Sequence, residues 1–386
     1  MKRSKRDAPL RFNKGALPLG SLICVKSRSG QVPARVVEVQ RLSQYAETPN
    51  AYTYYVHFEG CNRRLDQWVT YDVIRDWNDC VNRQVENGDL ILHDEHEGLD
   101  AKQLAMHEEN TKVRRIEYLE MGPHRCKAWY FSPFPEHFQD LETLFACEFC
   151  LKAFKHREEV HLHAPRCLVR HPPGNEIYRD QGVSVFEVDG AVSPLYCENL
   201  AFIAKLFLDH KTLEFDVSPF LFYVLTERDE QGWRFVGYFS KEKESDQDYN
   251  LACILVFPFI QRSGYGKFLI SLSYQLSRIE RKKGTPERPL SDLGFRAYLK
   301  WWAEVLIAEL RKQKGVLSIA ELSDLTYIKE DDIVMTLEKL RVLRCDASGN
   351  WRLYANAGYL DQVQATLGPP GRVLKPEKLH WAPYRV

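Results

Sequence analysis

The sequence has 386 residues, of which 44% are hydrophobic and 12% aromatic, a composition that predicts about two or three domains with sizeable cores. The 53 Lys and Arg residues balance the 53 Asp and Glu residues, and a net charge of zero argues against strong nucleic-acid binding through bulk charge. No apolar stretch approaches the roughly 20 residues that span a bilayer, and "MKRSKRDAPL" lacks an apolar signal core. Ten cysteines then favour reduced thiols, metal ligands or catalysis over disulfides, so we expect a soluble intracellular protein.

The first third of the chain alternates between charged and β-rich segments. Residues 1–14 carry six Lys and Arg residues against one Asp, as in a nuclear-import or nucleic-acid-contacting tail or in an ordinary solvated terminus. Residues 16–76 contain short β-rich runs broken by Gly, Ser, Pro and Asn, which predict a small bent barrel of about five strands. Residues 83–112 carry eight Asp and Glu residues against three Lys and Arg residues, which indicates a linker.

A candidate metal site lies in "CEFCLKAFKHREEVHLHAPRC". Its spacing is close to that of a finger for tetrahedral zinc. The predicted ligands are Cys147, Cys150, His163 and Cys167. His156 and His161 are alternative ligands, but His161 would point away from Cys167 if both residues were helical. Because the motif is embedded in a mixed helix and strand region, we expect a structural role for the zinc.

The spacing of His163 and Cys167 would place both ligands on one face of a helix. Pro165 lies between them and removes a backbone donor. The helix is therefore expected to be kinked, or to begin locally at Ala164.

From about residue 115 onward strands and helices mix, a pattern that predicts an α+β fold with a largely antiparallel sheet. The stretch "LACILVFPFIQRSGYGKFLI" joins an apolar strand to a helix through a glycine loop. Gly264 and Gly266 would leave room for a pyrophosphate, and helix N-termini expose N–H groups that bind phosphate oxygens. The predicted buried stripe of the helix comprises Leu269, Leu272, Leu276 and Ile279.

After residue 290 helices dominate. "SIAELSDL" begins with a capping box from Ser318 to Glu321. "EDDIVMTLEKLRVLR" is amphipathic, and "ASGNWRLY" predicts a turn into a strand. Two helices and a hairpin resemble a winged helix, which could bind DNA or buttress the core. We favour the buttress because no excess of positive charge lies there.

Several long motifs occur in order from about Tyr118 to Tyr384: "HPPGNEIYRD", "KLFLDHKTL", "PFLFY", "VGYFSKEKES", "ACIL", "QRSGYGK" and "PERPLSDLG". Together with the zinc motif they resemble the MYST family of histone acetyltransferases. The resemblance implies an α+β fold: a GNAT-like acetyltransferase core with a C2HC zinc finger and a C-terminal winged-helix-like part, preceded by a small β-barrel. That barrel is similar to a chromo-barrel or tudor-knot module.

The expected domains follow from this resemblance. They are a basic tail (1–15), a chromo-barrel or tudor-knot-like domain (16–80), an acidic linker (81–115) and a MYST-type acetyltransferase domain (116–386). The last is expected to contain the zinc finger (142–170), the acetyl-CoA core (171–294) and a C-terminal helical part (295–386).

The resemblance also implies where acetyl-CoA binds. Its pyrophosphate would lie on backbone amides from Arg262 to Lys267, and its pantetheine arm would lie along the preceding strand. The implied cofactor-binding residues are Ala252, Cys253, Ile254, Leu255, Val256, Gln261, Arg262, Ser263, Gly264, Tyr265, Gly266, Lys267 and Ser291. Ser291 could equally cap the helix that starts at "SDLGFRAYL".

Acetyl transfer to lysine requires a base, because the free amine has a pKa of about 10.4. A carboxylate can serve as this base in a mostly apolar site, because such surroundings raise its pKa toward neutrality. The resemblance implies that Glu287 is this base and that Cys253 lies in the active site. Cys253 would either carry a transient acetyl group or pack beside the thioester in a ternary complex. Lys205 matches the family's autoacetylated lysine, with an ordinary surface lysine as the alternative.

The barrel has aromatic residues that could form a methyl-lysine cage. They are Tyr54, Tyr55, Phe58 and Trp68. Cys61 and Leu65 occupy positions where cage-forming relatives have tryptophan, so the cage is expected to be incomplete. Core or stacking roles for the aromatic residues, and tethering for the barrel, are favoured over methyl-lysine or nucleic-acid binding.

The expected protein is therefore a nuclear lysine acetyltransferase that uses acetyl-CoA and structural zinc and acts on core-histone tails, with histone four as the leading substrate. Expected partners are nucleosomes and subunits of a chromatin-modifying complex, with weak nucleic-acid contact by the tail or barrel and no membrane. The alternatives are a catalytically dead chromatin-binding module and a GNAT-type small-amine acetyltransferase.

Overall fold

The computed structural model describes residues 15–27, 30–42, 48–77, 113–139, 141–209, 216–312, 317–345, 351–353, 355–368 and 371–383. The predicted basic tail and most of the predicted acidic linker lie outside these residues. The chain divides into two compact units, Met1–Glu117 with Ala128–Asp140, and Tyr118–Lys127 with Leu141–Val386.

The first unit contains a barrel-like antiparallel sheet. Its strands are β1 (Leu22–Ser27), β2 (Gly30–Arg41), β3 (Tyr52–Phe58), β4 (Gln67–Thr70) and β5 (Ile74–Arg75), in the order β4-β3-β2-β1-β5. Inward residues such as Ile23, Val36 and Val56 are almost fully buried. The hydroxyl of Tyr54 closes this core by donating to the carbonyl oxygen of Pro49 (3.0 Å). The five-stranded barrel predicted from the β-rich runs is confirmed.

The second unit begins with a small sheet around the metal motif. Its strands are β6 (Tyr118–Met121), β7 (His124–Lys127), β8 (Thr143–Ala146) and β9 (Ala153–Phe154), in the order β7-β6-β8-β9. Helix α1 (Glu136–Gln139) belongs to the first unit, and α2 (Arg157–His163) follows β9.

A five-stranded antiparallel sheet forms the centre of the second unit. Its strands are β10 (Asn175–Asp180), β11 (Val183–Asp189), β12 (Phe220–Arg228), β13 (Trp233–Glu242) and β15 (Ile254–Val256), in the order β10-β11-β12-β13-β15. β12 reads "FLFYVLTER", and its run of apolar residues is buried on both faces. Helix α3 (Pro194–Lys205) lies between β11 and β12 in the chain. β14 (Tyr249–Leu251) pairs in parallel with β16 (Thr285–Pro286). The predicted, largely antiparallel α+β architecture is confirmed.

Helix α4 (Tyr265–Glu280) follows β15 and packs in the main core. Its predicted stripe is buried at Leu269, Leu272 and Leu276, but Ile279 is 37% exposed. The stripe therefore ends one turn earlier than predicted, because the last turn of α4 reaches the surface.

The C-terminal part consists of helices and one hairpin. The elements are α5 (Asp292–Lys312), α6 (Ile319–Thr326), α7 (Glu330–Lys339), β17 (Leu343–Cys345), β18 (Trp351–Leu353) and α8 (Ala357–Thr366). The predicted capping box is present: the N–H of Glu321 donates to the hydroxyl of Ser318 (3.2 Å), and the Glu321 carboxylate accepts from the N–H of Ser318 (2.7 Å). Leu322, Ile333 and Leu337 join the main core, so these helices buttress the central sheet.

Within the described residues, no helix is both long enough and apolar enough to cross a membrane. Among the cysteines whose side chains the structure describes, seven are free thiols: Cys61, Cys126, Cys147, Cys150, Cys167, Cys197 and Cys253. Cys24 is fully buried in β1 and is disulfide-bonded, so the expectation of reduced thiols does not extend to it.

Candidate active site and metal centre

The chain changes its strand partner at Cys253. The N–H of Ala252 donates to the carbonyl oxygen of Ser240 (2.7 Å), and the N–H of Ser240 donates to the carbonyl oxygen of Cys253 (2.9 Å). The Ser240 hydroxyl accepts from the N–H of Cys253 (3.2 Å). Ala252 and Cys253 thus lie opposite the single residue Ser240. This arrangement is a β-bulge, which is often found beside active sites. β14 before the bulge pairs with β16, and β15 after it pairs with β13.

β15 forms an edge of the central sheet in the described part of the chain. The N–H of Phe257 donates to the carbonyl oxygen of Val236 (3.2 Å), and Leu255 is the partner of Tyr238 in the same ladder. Main-chain groups alternate in direction along an antiparallel strand. Those of Leu255 therefore face β13, and those of Ile254 and Val256 face the open edge.

Only some of the residues predicted to face the pantetheine arm have main-chain groups at the open edge in this register. Ile254 and Val256 offer them at the open edge. Ala252 has its N–H bonded to β13, and Leu255 faces β13. The side-chain amide of Gln261 donates to the carbonyl oxygen of Val256 (2.9 Å), which ties the loop before α4 to this edge.

The chain turns into α4 through two left-handed residues, Arg262 (φ 65°) and Gly264 (φ 85°). The first bond of the helix runs from the N–H of Phe268 to the carbonyl oxygen of Gly264 (3.1 Å). The N–H groups of Tyr265, Gly266 and Lys267 therefore have no acceptor within the helix. Tyr265 as a whole is 1% exposed, so its side chain lies in the core and does not face a ligand here. This helix start has the geometry of an anion site.

The two glycines have different surroundings. A Cβ atom on Gly266 would meet no heavy atom within 4 Å, whereas one on Gly264 would lie 2.7 Å from the backbone nitrogen of Arg372. The space predicted for a pyrophosphate is therefore present at Gly266. Gly264 instead permits the left-handed turn and the close approach of Arg372.

Positive charge lies in and against this turn. Arg262 is exposed. The Nε of Arg372 donates to the carbonyl oxygen of Ser263 (3.2 Å), and the ammonium of Lys267 pairs with the carboxylate of Glu304. Arg372 is also paired with a carboxylate, that of Glu227 (3.6 Å), so Arg262 is the charge that most favours a phosphate at the helix start.

Glu287 reaches this region through strand pairing. Its N–H donates to the carbonyl oxygen of Leu251 (2.9 Å), which extends the parallel pairing of β14 and β16 by one residue. Glu287 thus lies beside the strand end that precedes Cys253 by two residues. Cys253 is half-buried and Glu287 is exposed. Glu287 is therefore not enclosed in the mostly apolar surroundings that were expected for the base.

The four predicted metal ligands come together in space. One ligand atom from each of Cys147, Cys150, His163 and Cys167 lies within 4.8 Å of the others. The Cys147 and Cys167 sulfurs are 3.9 Å apart, and the Cys150 sulfur lies 3.3 Å from the His163 Nε2. Three thiols and one imidazole at such distances match a tetrahedral zinc site. A hydrogen bond from Cys150 lowers the pKa of Cys147, which favours a thiolate of the kind that zinc requires.

Pro165 changes how the last two ligands are presented. Helix α2 ends at His163, and a 3-10 turn follows at Ala164–Arg166. Cys167 is extended (φ −64°, ψ 119°). The prediction that His163 and Cys167 share one helical face is therefore wrong, because Pro165 has no N–H with which to continue the helix.

The alternative histidines lie elsewhere. His156 is the N-cap of α2. His161 is exposed and lines a 460 Å³ cavity with Glu120, Glu148 and Arg234. Neither belongs to the described Cys and His cluster.

Comparison with known proteins identifies three sequence families along the chain. The MOZ/SAS family matches residues 171–376, the MYST family zinc finger domain matches 113–167, and the "RNA binding activity-knot of a chromodomain" matches 20–76. The chain belongs to the MYST family. It is 44% identical to histone acetyltransferase of the MYST family 1 from Arabidopsis thaliana, with 99% of this chain and 89% of the relative covered.

Two further relatives show the same family. Histone acetyltransferase of the MYST family 2 from Arabidopsis thaliana is 46% identical, with 98% of this chain and 89% of the relative covered. The histone acetyltransferase Tip60 homolog of Caenorhabditis elegans is 40% identical, with 74% of each chain covered. A MYST enzyme uses acetyl-CoA and carries structural zinc, in agreement with the predicted cofactors and with the Cys and His cluster.

Ser291 of this MYST protein caps α5. Its hydroxyl accepts a hydrogen bond from the N–H of Gly294 (3.1 Å), and its carbonyl oxygen accepts from the N–H of Phe295 (2.7 Å). The capping role is present, and its exposed side chain leaves the predicted cofactor contact compatible with it.

Lys205 is not a surface lysine. It is 1% exposed, and its ammonium donates to the carbonyl oxygens of Leu208 (3.2 Å) and Asp209 (2.9 Å) beyond the end of α3. The surface alternative is wrong because the side chain folds back to satisfy these carbonyls. Its autoacetylation stays a prediction.

The barrel aromatic residues serve the fold. Tyr54, Tyr55 and Phe58 are each at most 6% exposed. Trp68 is half-buried and contacts Tyr55 edge-on, with ring centroids 5.4 Å apart. Leu65, at a position of the suspected cage, is 53% exposed. These placements match the favoured core and stacking roles.

Ser240 is a residue of the site that was not predicted from the sequence. Ser240 is 2% exposed and forms every hydrogen bond of the bulge described above. One signal was present: a hydroxyl within the otherwise apolar stretch "FVGYFS" of β13 indicates a special backbone contact.

Proposed function

We propose that this histone acetyltransferase moves the acetyl group of acetyl-CoA to lysines of core-histone tails with Glu287 as the general base, the tail of histone four being the leading substrate. MYST membership and the names of the relatives support histone acetylation. The main-chain hydrogen bond from Glu287 to Leu251 supports Glu287 as the base, because it holds the Glu287 backbone beside the strand end that leads to Cys253.

The cofactor would bind along β15 and the start of α4. The N–H groups of Tyr265, Gly266 and Lys267 would hold the pyrophosphate, with support from Arg262. The main-chain groups of Ile254 and Val256 would pair with the pantetheine amides as a neighbouring strand does. The thioester would then lie near the bulge at Cys253.

Glu287 would remove a proton from the lysine ammonium. The neutral amine nitrogen then attacks the thioester carbonyl carbon and forms a C–N bond, and the C–S bond breaks with its electron pair leaving on the coenzyme A sulfur. The nitrogen gives up its second proton to this thiolate, so the products are the acetylated lysine and the coenzyme A thiol. Cys253 would line the site during this direct transfer. A histone tail covering Glu287 would remove water from the carboxylate, and a carboxylate in less polar surroundings is a stronger base.

The ligand cluster Cys147, Cys150, His163 and Cys167 would hold zinc as a structural ion, because all four positions of a tetrahedral site are occupied by protein atoms. We also propose nuclear localisation and membership of a chromatin-modifying complex, supported by the MYST relatives. Autoacetylation of Lys205 belongs to the same proposal, on resemblance alone.

The test uses the full chain with labelled acetyl-CoA and core histones. Glu287→Gln should lower kcat by about 100-fold or more, because it keeps the shape and removes the base. The control is Glu230→Gln, at an exposed turn between β12 and β13, which should leave kcat unchanged.

The other outcomes separate the alternatives. Label on a polyamine and none on histones would indicate a small-amine enzyme. No turnover on either substrate would indicate a dead module. Equal activity of the Glu287→Gln variant and the unmodified chain would overturn the proposed base.

A further inference from the structure

A buried carboxylate on α7 is bonded to both sides of the Glu287 loop. Asp332 is 2% exposed. Its Oδ2 accepts a hydrogen bond from the Thr285 hydroxyl (2.7 Å), and its Oδ1 accepts one from the Arg288 guanidinium (2.5 Å). One carboxylate therefore bonds to the residue two before Glu287 and to the residue directly after it.

Main-chain bonds fix the same loop from the α6–α7 connection. The N–H of Gly284 donates to the carbonyl oxygen of Tyr327 (2.9 Å), and the N–H of Lys329 donates to the carbonyl oxygen of Gly284 (3.3 Å). With the bond from Glu287 to Leu251, the loop is held at its entry, at its centre and, through Asp332, at its exit.

The burial of Asp332 is costly. Loss of water raises its pKa, and the bonds from Thr285 and the charge of Arg288 counter this effect. A buried ion pair often adds little to stability compared with apolar residues of the same volume. Its bonds to Thr285 and Arg288 give it a second role, the fixing of one loop geometry.

We propose that Asp332 is a positioning residue that sets the direction of the Glu287 carboxylate through Thr285 and Arg288. The inference rests on the proposed role of Glu287 as the base. Asp332 has no contact with the reacting atoms in this arrangement; it acts through the two residues that flank the base. A misplacement of about 1 Å in a catalytic group can cost about 100-fold in rate.

The first experiment compares Asp332→Asn with Asp331→Asn in the full chain. Both substitutions remove one negative charge from α7 at neighbouring positions, but Asp331 is exposed. Asp332→Asn should lower kcat by about 10- to 100-fold and leave KM for acetyl-CoA within about twofold, because the cofactor elements are β15 and α4. Asp331→Asn should leave both constants unchanged.

A double-mutant cycle with Glu287→Gln separates positioning from general stability. If Asp332 acts through Glu287, Asp332→Asn should cause no further loss of kcat in the Glu287→Gln background. An equal fold-loss in both backgrounds would overturn the inference and indicate a structural role. An unchanged kcat for Glu287→Gln alone would instead overturn the proposed function.

Substitutions of Thr285 test the same inference if the Asp332→Asn variant does not fold. Thr285→Ser keeps the hydroxyl that donates to Asp332, and Thr285→Val keeps the shape and loses it. We expect Thr285→Ser to retain kcat within about threefold and Thr285→Val to lose about 10-fold, a loss smaller than that of a full misplacement. Equal kcat values for the two variants would overturn the inference.

Discussion

At Cys253, the hydrogen bonds of a single serine decide where the strand bends. Ser240 forms hydrogen bonds with both Ala252 and Cys253. These bonds mark the bend between the end of β14 and the start of β15. The Cys253 side chain lies half-buried at this bend, a place that suits a residue lining a thioester. Sequence alone places Cys253 in an apolar strand; the bulge depends on a partner 13 residues earlier, which no local pattern encodes.

Replacement of Cys253 tests whether an acetyl-cysteine is required. Direct transfer predicts that Cys253→Ala retains kcat within about tenfold, because Glu287 and the cofactor groups remain. Initial rates at saturating acetyl-CoA measure this. A loss as large as that of Glu287→Gln, together with an acetylated Cys253 trapped in the unmodified chain by mass spectrometry, would show the covalent route.

At the scale of the element, the two glycines at the start of α4 are expected to respond differently to substitution. Gly266→Val adds a side chain to open space, so the unfolding temperature should be unchanged while KM for acetyl-CoA rises at least about tenfold, the loss of roughly 1.4 kcal/mol of binding. Titration calorimetry with coenzyme A checks the binding.

Gly264→Ala should behave in the opposite way. The left-handed φ of 85° and the 2.7 Å approach to the Arg372 nitrogen predict a loss of stability of about 1–3 kcal/mol. Thermal unfolding measures it. If Gly264→Ala is as stable as the unmodified chain, the packing of Arg372 against this turn is not needed for the fold.

The Cys and His cluster supports a further prediction, about the effect of zinc on stability. Chelation of zinc, or Cys167→Ser, should lower the unfolding temperature, since binding energy at a structural zinc site is folding energy. The control is Cys126→Ser, a half-buried thiol of β7 outside the cluster. Metal content by mass spectrometry should fall for Cys167→Ser alone. Equal metal content in both variants would contradict the ligand assignment.

Features that depend on neighbours in the chain could be predicted, and those that depend on distant pairing could not. The capping box at Ser318 and the buried stripe of α4 follow from local spacing. Pro165 predicts a kink or a local helix start at Ala164, and a 3-10 turn does begin at Ala164. The extended backbone of Cys167 could not be predicted locally, because its sulfur lies beside that of Cys147, 20 residues earlier. The pairing of β14 with β16 joins segments more than 30 residues apart, so the place of Glu287 needed a resemblance or a structure.

For the whole molecule, the two units are interleaved along the chain. The segment Ala128–Asp140 belongs to the barrel unit although its neighbours on both sides belong to the other unit. The Tyr130 hydroxyl donates to the Asn62 side chain (2.7 Å), and buried Arg114 donates to the carbonyl oxygen of Trp129 (3.3 Å). The barrel and this later segment therefore stabilise one another.

A truncation tests this dependence. A fragment that begins at residue 113 removes Asn62 and exposes Tyr130, which is 7% exposed in the full chain. Its unfolding temperature should be several degrees lower than that of the full chain, because a loss of about 1 kcal/mol moves the midpoint by roughly 2–4 °C in a domain of this size. A fragment that begins at residue 15 serves as the control and should match the full chain. If the fragment from residue 113 also matches it, the barrel is energetically independent.

The brevity of β15 has a consequence for self-association. An open sheet edge can recruit a strand from another polypeptide, and such recruitment leads to aggregation. β15 spans three residues, and Pro258 follows two positions later. A neighbouring protein strand thus finds too few main-chain partners to add stably, whereas the coenzyme arm in the proposed arrangement would need only the main-chain groups of Ile254 and Val256. The short open edge of β15 is therefore not expected to cause aggregation of the protein when no cofactor is bound.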